Sequence, residues 1–272
     1  MKKKITALCL CVALLAVAVV GASLAYFTDT DNATNTFAVG NVKIDLIEQE
    51  RKLDADGNKT TELTAFDNGH KLYPIVGSAQ GEKDALGMPT AKNYVDKMVT
   101  IQNTGTEAAY IRAYFAIPAA LDDGYETFNA GMNVLHFNFG NKVVNGVITS
   151  TEGVEWKWTH DSNKWNYFET TIGSIKYNVY YADYYKALDP KAITEQLVQG
   201  VYLDKTFNMT ENGPEAFGKP VKVDAGWDWN NVSCPVFAVA VQAEGFDNAA
   251  AAMDAAFGAN YNPWGTTATN WQ

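Results

Sequence analysis

The residue types that most often catalyse reactions in enzymes are few and scattered in this sequence. Its three histidines, His70, His136 and His160, lie far apart, and none belongs to a His-Glu-x-x-His motif. A catalytic zinc ion needs two or three imidazoles or carboxylates that converge on it. The chain also has neither a Gly-x-Ser-x-Gly nucleophile motif nor a complete Gly-x-x-x-x-Gly-Lys-Ser/Thr phosphate loop, because Pro220 follows the only partial match at residues 213–219. These patterns predict no catalytic residue, no metal ligand and no cofactor.

The carboxylates could bind calcium or catalyse glycoside hydrolysis. The stretch Asp54-Ala55-Asp56-Gly57-Asn58 supplies closely spaced oxygen atoms for calcium. Its glycine, however, follows the first aspartate by three positions, where the EF-hand loop requires five. Asp-Gly favours a β-hairpin turn, which is therefore the prediction here, and Asp29-Thr30-Asp31-Asn32 is likewise not assigned to calcium. A carboxylate pair for glycoside hydrolysis stays open, because nothing singles out one pair among the 31 acidic residues.

Tryptophans could bind sugar rings by stacking. Trp156, Trp158 and Trp165 lie close together, as do Trp227 and Trp229. Alternate residues of a strand share one face, so the first two tryptophans suit either a buried core or an exposed platform. Core packing is favoured, because most large aromatic residues in a β-sandwich are buried. A glycan-binding adhesin remains an alternative.

The N-terminus determines where any of these residues would act. It begins with three lysines, continues with an apolar run over residues 5–20, and ends with Ser23-Leu24-Ala25. A basic start, an apolar middle and small residues at the cleavage site are typical of an export signal. We therefore predict a signal peptide over residues 1–25, cut between Ala25 and Tyr26, with a retained membrane anchor as the alternative.

Composition limits the partners of the exported chain. Cleavage would remove three of the 21 basic residues and none of the 31 acidic ones, which makes a chain with a net charge of −10 still more acidic. Nucleic acid and anionic membranes are therefore excluded as expected partners, and no membrane association is expected after cleavage. Of the three cysteines only Cys234 would remain, so no internal disulfide is expected and Cys234 is interpreted as a buried apolar residue.

Alternation with a period of two predicts the fold. Apolar residues alternate with polar ones at residues 42–46, 111–117 and 175–181, and a nearly continuous apolar run covers residues 236–243. Turn signals separate these segments, at residues 56–58, 103–105, 145–146 and 212–214. The pattern predicts an all-β, antiparallel β-sandwich that forms one domain over residues 26–272.

One or two short helices are expected in the connections. Asp189-Pro190 predicts a helix that continues through Ile193 and Leu197 to Val198. Asp247 is predicted to cap a second helix that ends at Gly258. The stretches 69–92 and 207–229 have weak periodicity and are interpreted as long loops.

The N-terminal motif resembles the TasA/camelysin family of exported Gram-positive proteins. The likeness is carried by residues 25–29 (AYFTD), followed by Asn35, Phe37, Gly40 and an alternating strand. It continues at residues 99–112 and 239–257, so that it covers the leader and about half of the remaining chain in patches. Residues 126–165 and 207–229 match no part of the family.

The resemblance implies a secreted, jelly-roll-like domain on the cell surface or in the biofilm matrix of a Gram-positive bacterium. It implies processing by a SipW-type signal peptidase and self-association into fibres, in which residues 26–39 act as a donor strand for the next subunit. Tyr26, Phe27, Phe37 and Val39 would then fill apolar pockets. The alternative is that this segment forms an edge strand in its own subunit. A camelysin-like surface metalloprotease is the enzymatic alternative, although the sequence lacks a cluster of metal ligands.

Overall fold

A computed structural model shows that the protein is all-β and that the strands of its sheets are antiparallel, as predicted. The model describes residues 28–30, 41–122, 133–139, 142–144, 147–149, 155–158, 167–223, 225–229 and 232–265. Within these ranges no helix is both long enough and apolar enough to span a membrane. The strands are β1 (Thr28–Thr30), β2 (Ile44–Leu53), β3 (Lys59–Ala65), β4 (Val95–Asn103), β5 (Ala109–Pro118), β6 (Leu135–Phe139), β7 (Lys142–Val144), β8 (Val147–Thr149), β9 (Trp156–Trp158), β10 (Phe168–Ile172), β11 (Ile175–Tyr184), β12 (Val198–Leu203), β13 (Asn208–Thr210), β14 (Gly213–Ala216), β15 (Lys219–Pro220) and β16 (Val236–Gln242).

Two large sheets form the body of the domain. Sheet A has the strand order β1-β16-β5-β11-β10, and β9 pairs with the second half of β11. Sheet B has the order β3-β2-β4-β12-β6. The strands β13, β14 and β15 form a separate small sheet, and β7 pairs with β8. The sandwich is confirmed, whereas its jelly-roll character stays a prediction.

The main core lies between the two sheets. On β5 the residues Ile111, Ala113, Phe115 and Ile117 face this core and are almost fully buried, as their alternation predicts. Sheet B contributes Val99 and Ile101 of β4 among others. Burial of such side chains stabilises the fold by about 25 cal/mol for each Å² removed from water.

The outer face of sheet A is covered as well. Helix α1 (Ala249–Phe257) packs there with Met253, and Tyr261 and Trp264 of the following segment contact Tyr114 of β5. The predicted second helix is therefore confirmed. Its N-cap is Asn248 and not Asp247, because the Asn248 side chain accepts a hydrogen bond from the Ala251 N–H at 3.0 Å.

Residues 69–92 cover the outer face of sheet B. None of the strands given above lies within them, in agreement with the predicted loop. Ile75 and Met88 pack against Met98 of β4. The buried Arg51 of β2 fixes this segment. Its guanidinium donates to the Asp84 carboxylate at 2.8 Å and to the Pro89 carbonyl at 2.9 Å.

The helix predicted from Asp189-Pro190 is wrong. Only one turn forms, closed by the Ala192 N–H on the Asp189 carbonyl, and Lys191 then adopts a left-handed φ of 67°. The chain continues in an extended conformation beside β4, where Thr194 and Leu197 donate their N–H groups to Ile101 and Val99. The local sequence favours a helix, but the buried backbone groups of β4 must be hydrogen-bonded. Residues 192–197 supply these hydrogen bonds in an extended conformation, and the helix does not form.

The predicted loop over residues 207–229 is also partly wrong, because β13, β14 and β15 lie within it. Its Asn212-Gly213 turn joins β13 to β14, as the turn signal predicts. The Asp54–Gly57 turn likewise joins β2 to β3, with Gly57 at a φ of 81° and the Asp54 carboxylate accepting from the Asp56 and Asn58 N–H groups. The hairpin interpretation of this acidic stretch is therefore confirmed.

Candidate strand-assembly edge

Strand β16 is the apolar strand next to the edge of sheet A. It pairs along its whole length with β5, from Val236 opposite Phe115 to Gln242 opposite Ala109. Its residues 238–242 are buried, and it carries no charged side chain. The prediction of a strand buried on both faces is confirmed for this part of the chain.

The second side of β16 meets the N-terminal segment. Strand β1 pairs antiparallel with it, with Thr28 opposite Val241, Asp29 opposite Ala240 and Thr30 opposite Val239. Among the described residues, β1 thus covers three of the seven positions of β16. Residues 28–30, which lie within the predicted assembly segment, therefore form an edge strand in their own subunit, as the alternative to donor-strand exchange predicts.

The other predicted site residues lie outside the described residues. They are Ala25 and Tyr26 of the cleavage site, and Phe27, Phe37 and Val39 of the assembly segment. For these residues the donor-strand assignment stays a prediction.

Both faces of β16 are supported by packing. Its outward residues Phe237, Val239 and Val241 join the cluster under α1, and the Trp264 ring lies 5.9 Å from the Phe237 ring. Its inward residues Ala238 and Ala240 belong to the main core. The strand is therefore held by its pairing with β5 and by packing on both faces, and β1 pairs with its other edge.

The N-terminal end of β16 carries the remaining cysteine. Cys234 packs against the main core, and burial raises the pKa of its thiol to about 12. A thiol with this pKa is protonated at neutral pH and is a poor nucleophile. The interpretation of Cys234 as a buried apolar residue is borne out in part, because Cys234 packs against the core but is only half-buried.

The C-terminal end of β16 carries an unpaired polar group that the sequence analysis missed. Gln242 is only 6% exposed, and its Nε2 donates to the Glu244 carboxylate at 3.4 Å. Its buried Oε1 has no hydrogen-bond partner. A single glutamine at the end of an apolar strand is the one signal in the sequence that could have drawn attention to it.

The described histidines, which were considered as metal ligands, contact different residues. His70 pairs with Glu50, whereas His136 lies 3.3 Å from Asp204 and stacks on the Tyr202 ring. His160 is outside the described residues. In the described part of the chain, no group of three or more His, Cys, Asp or Glu residues could hold a metal ion.

The described tryptophans that were considered for sugar stacking pack against the main core. Trp156 and Trp158 are 3% and 6% exposed and belong to the main core. Trp227 and Trp229 are half-buried against the same core, with ring centroids 5.3 Å apart. The core interpretation of Trp156 and Trp158 is confirmed, and Trp165 lies outside the described residues.

A scan against protein-family models, a search of curated proteins and a search of solved structures each found no match to this chain.

Proposed function

We propose that this protein is a secreted structural protein of the cell surface or biofilm matrix. In this proposal a SipW-type signal peptidase cuts after Ala25, and the freed N-terminal strand pairs with β16 of a neighbouring subunit. The supporting observation is that Thr28–Thr30 pair with the uncharged strand β16 within one chain, so that this segment fits the edge that a neighbouring subunit would have to fill. Repetition of the same contact between subunits would produce a fibre.

The physical reason lies in the backbone of β16. An edge strand presents unpaired N–H and C=O groups, and an extended segment from another chain can satisfy them. A segment that leaves its own subunit and pairs with the next makes a head-to-tail contact, which continues indefinitely unless it closes into a ring. The uncut leader would tether this segment, so that cleavage becomes the step that permits assembly.

Electron microscopy of the purified mature chain tests the proposal. Residues 26–272 are expected to form filaments, and a variant that begins at residue 37 is expected to form none. A matched control replaces residues 26–36 by a Gly/Ser sequence of equal length, which keeps the chain length and removes the strand-forming residues. Filaments in either variant, or their absence in the mature chain, would contradict the proposal.

A further inference from the structure

The C-terminal end of β16 places a buried hydrogen-bond acceptor beside a carboxylate. The Gln242 side chain is buried and its Oε1 lacks a hydrogen bond, while the neighbouring Glu244 is exposed and carries a carboxylate. A buried acceptor without a partner costs about 1–3 kcal/mol, so such groups call for an explanation. A donor that arrives at this point would remove the cost.

The orientation of the Gln242 amide follows from its neighbour. A carboxylate accepts hydrogen bonds and cannot donate them, so the amide turns its Nε2 towards Glu244, where the two atoms lie 3.4 Å apart. The group that remains free is therefore the Oε1 acceptor. Together with the Glu244 carboxylate it selects a ligand that carries both hydrogen-bond donors and a positive charge.

The register of β1 indicates which group of this chain could arrive there. Thr28 lies opposite Val241, and Gln242 is the next residue of β16 beyond that pair. Only residues 26 and 27 separate Thr28 from the proposed cleavage site, and two residues of strand span about 7 Å. A continuation of β1 through residues 26 and 27 would bring the new N-terminus of the mature chain within reach of residues 242–244.

We propose that Gln242 Oε1 and the Glu244 carboxylate form a binding site for the α-ammonium group of Tyr26. The inference rests on the proposed cleavage after Ala25, and it holds whether the strand belongs to the same subunit or to the next. An α-ammonium group has three donors and a positive charge at neutral pH, whereas the peptide N–H of the uncut precursor has one donor and no charge. Cleavage would therefore create an interaction that the precursor cannot make.

The pKa of the Tyr26 amine tests this site directly. It can be measured by competitive labelling with acetic anhydride at several pH values, followed by mass spectrometry of the N-terminal peptide. Because an adjacent carboxylate favours the charged form, we expect a pKa about half a unit above the ordinary value near 7.7, the shift that a partly exposed ion pair produces. Glu244→Gln should return the pKa to the ordinary value, and Gln242→Met should lower it partway.

Glu211→Gln is the matched control, because it removes one negative charge at an exposed turn between β13 and β14. It should leave the raised pKa unchanged. Equal pKa values in the unsubstituted mature chain and in Glu244→Gln would overturn the proposed site. Labelling can be done on subunits and on filaments alike. The experiment therefore distinguishes failure of the fibre proposal from failure of the proposed ammonium site. A raised pKa without filaments removes only the fibre, and filaments with an ordinary pKa remove only the ammonium site.

Discussion

The two sheets end in edges of opposite character on the same side of the sandwich, where β16 of sheet A contacts β2 of sheet B. Next to the edge of sheet A the apolar strand β16 is mostly buried and uncharged, and the edge strand β1 covers three of its positions. At the edge of sheet B the strand β3 is almost entirely exposed and contains Lys59, three threonines and Glu62. The Lys52–Glu62 ion pair lies on the surface of its hairpin at 3.2 Å.

Under the proposed function, this difference explains why sheet A and not sheet B accepts a strand from a partner. Exposed, charged edge strands discourage the addition of further strands, and β3 follows this rule. Strand β16 does not follow this rule, because it carries no charged side chain and its residues 238–242 are buried. The polar edge is instead held within its own subunit by charges, since Lys59 donates to the Asp96 carboxylate at 2.8 Å and to the Tyr94 carbonyl at 2.6 Å.

The largest expected effect comes from breaking β1. Successive residues of an antiparallel strand direct their N–H groups alternately towards and away from the partner strand. Replacement of both Asp29 and Thr30 by proline therefore removes at least one donor to β16, and we expect at least a tenfold loss of filaments by light scattering and electron microscopy. Leu63→Lys on the exposed β3 should leave filament formation unchanged. Equal losses in the two variants would abolish the distinction between the edges.

The second effect concerns the buried charges beside β3. Arg51 donates to both oxygens of the Asp96 carboxylate at 2.6 Å. Arg51→Met would leave this carboxylate with Lys59 and the backbone N–H of residue 51 as partners and would release residues 84–89. We therefore expect the free energy of unfolding to fall by about 3–5 kcal/mol in urea titrations. Lys52→Met on the adjacent residue removes only a surface ion pair and should cost less than about 1 kcal/mol. Similar losses for both substitutions would contradict this account of the polar edge.

The pH dependence of stability gives a third comparison. Burial by itself raises the pKa of Asp96, but the hydrogen bonds and charges of Arg51 and Lys59 outweigh it, so the pKa lies below the ordinary value of 3.8. A carboxyl group whose pKa is lower in the folded state stabilises the fold above its unfolded pKa, and this contribution is lost as the pH falls below about 4 through the folded pKa. We expect the free energy of unfolding to decline over this range and to decline less steeply in Asp96→Asn. Parallel slopes for the two proteins would remove Asp96 from the explanation.

The smallest expected effect tests the support of β16 from outside. Asn248→Ala removes the cap of α1, which lies against β16 and β5, and should cost about 1 kcal/mol in thermal unfolding. Asp247→Ala changes the preceding exposed residue and should leave the stability within about 0.5 kcal/mol of the unsubstituted chain. A larger effect at Asp247 would restore it as the cap that the sequence predicts.

Local patterns predicted those parts of the fold in which neighbouring residues decide the structure. The alternation at residues 111–117 identified β5, and the continuous apolar run identified β16, because burial on one or both faces leaves a direct mark on the sequence. The helix after Asp189 was predicted wrongly, because its backbone is captured by β4, about 90 residues earlier in the chain. No local signal records such a long-range requirement.

The same distinction applies to the candidate site. The motif after Ala25 predicted a strand-forming N-terminus, and residues 28–30 do form a strand. Its partner β16 begins more than 200 residues later, and the register that places Val241 opposite Thr28 cannot be read from either segment alone. The position of Gln242 next to the N-terminal strand follows only from this register.

A disulfide between two different subunits would test most directly whether β1 pairs with β16 of another chain. Mature chains with Cys234→Ala are prepared in two forms of different mass, one with Asp29→Cys and the other with Ala240→Cys, and are mixed under oxidising conditions. These positions lie directly opposite each other in the register. Opposite Cα atoms of an antiparallel pair are about 4.5–5.5 Å apart, within the range of a disulfide. We expect a mixed disulfide-linked dimer on a non-reducing gel, and none when Leu63→Cys replaces Ala240→Cys. The absence of the mixed dimer, together with rapid disulfide formation within a single chain that carries both Asp29→Cys and Ala240→Cys, would contradict assembly by exchange of this strand.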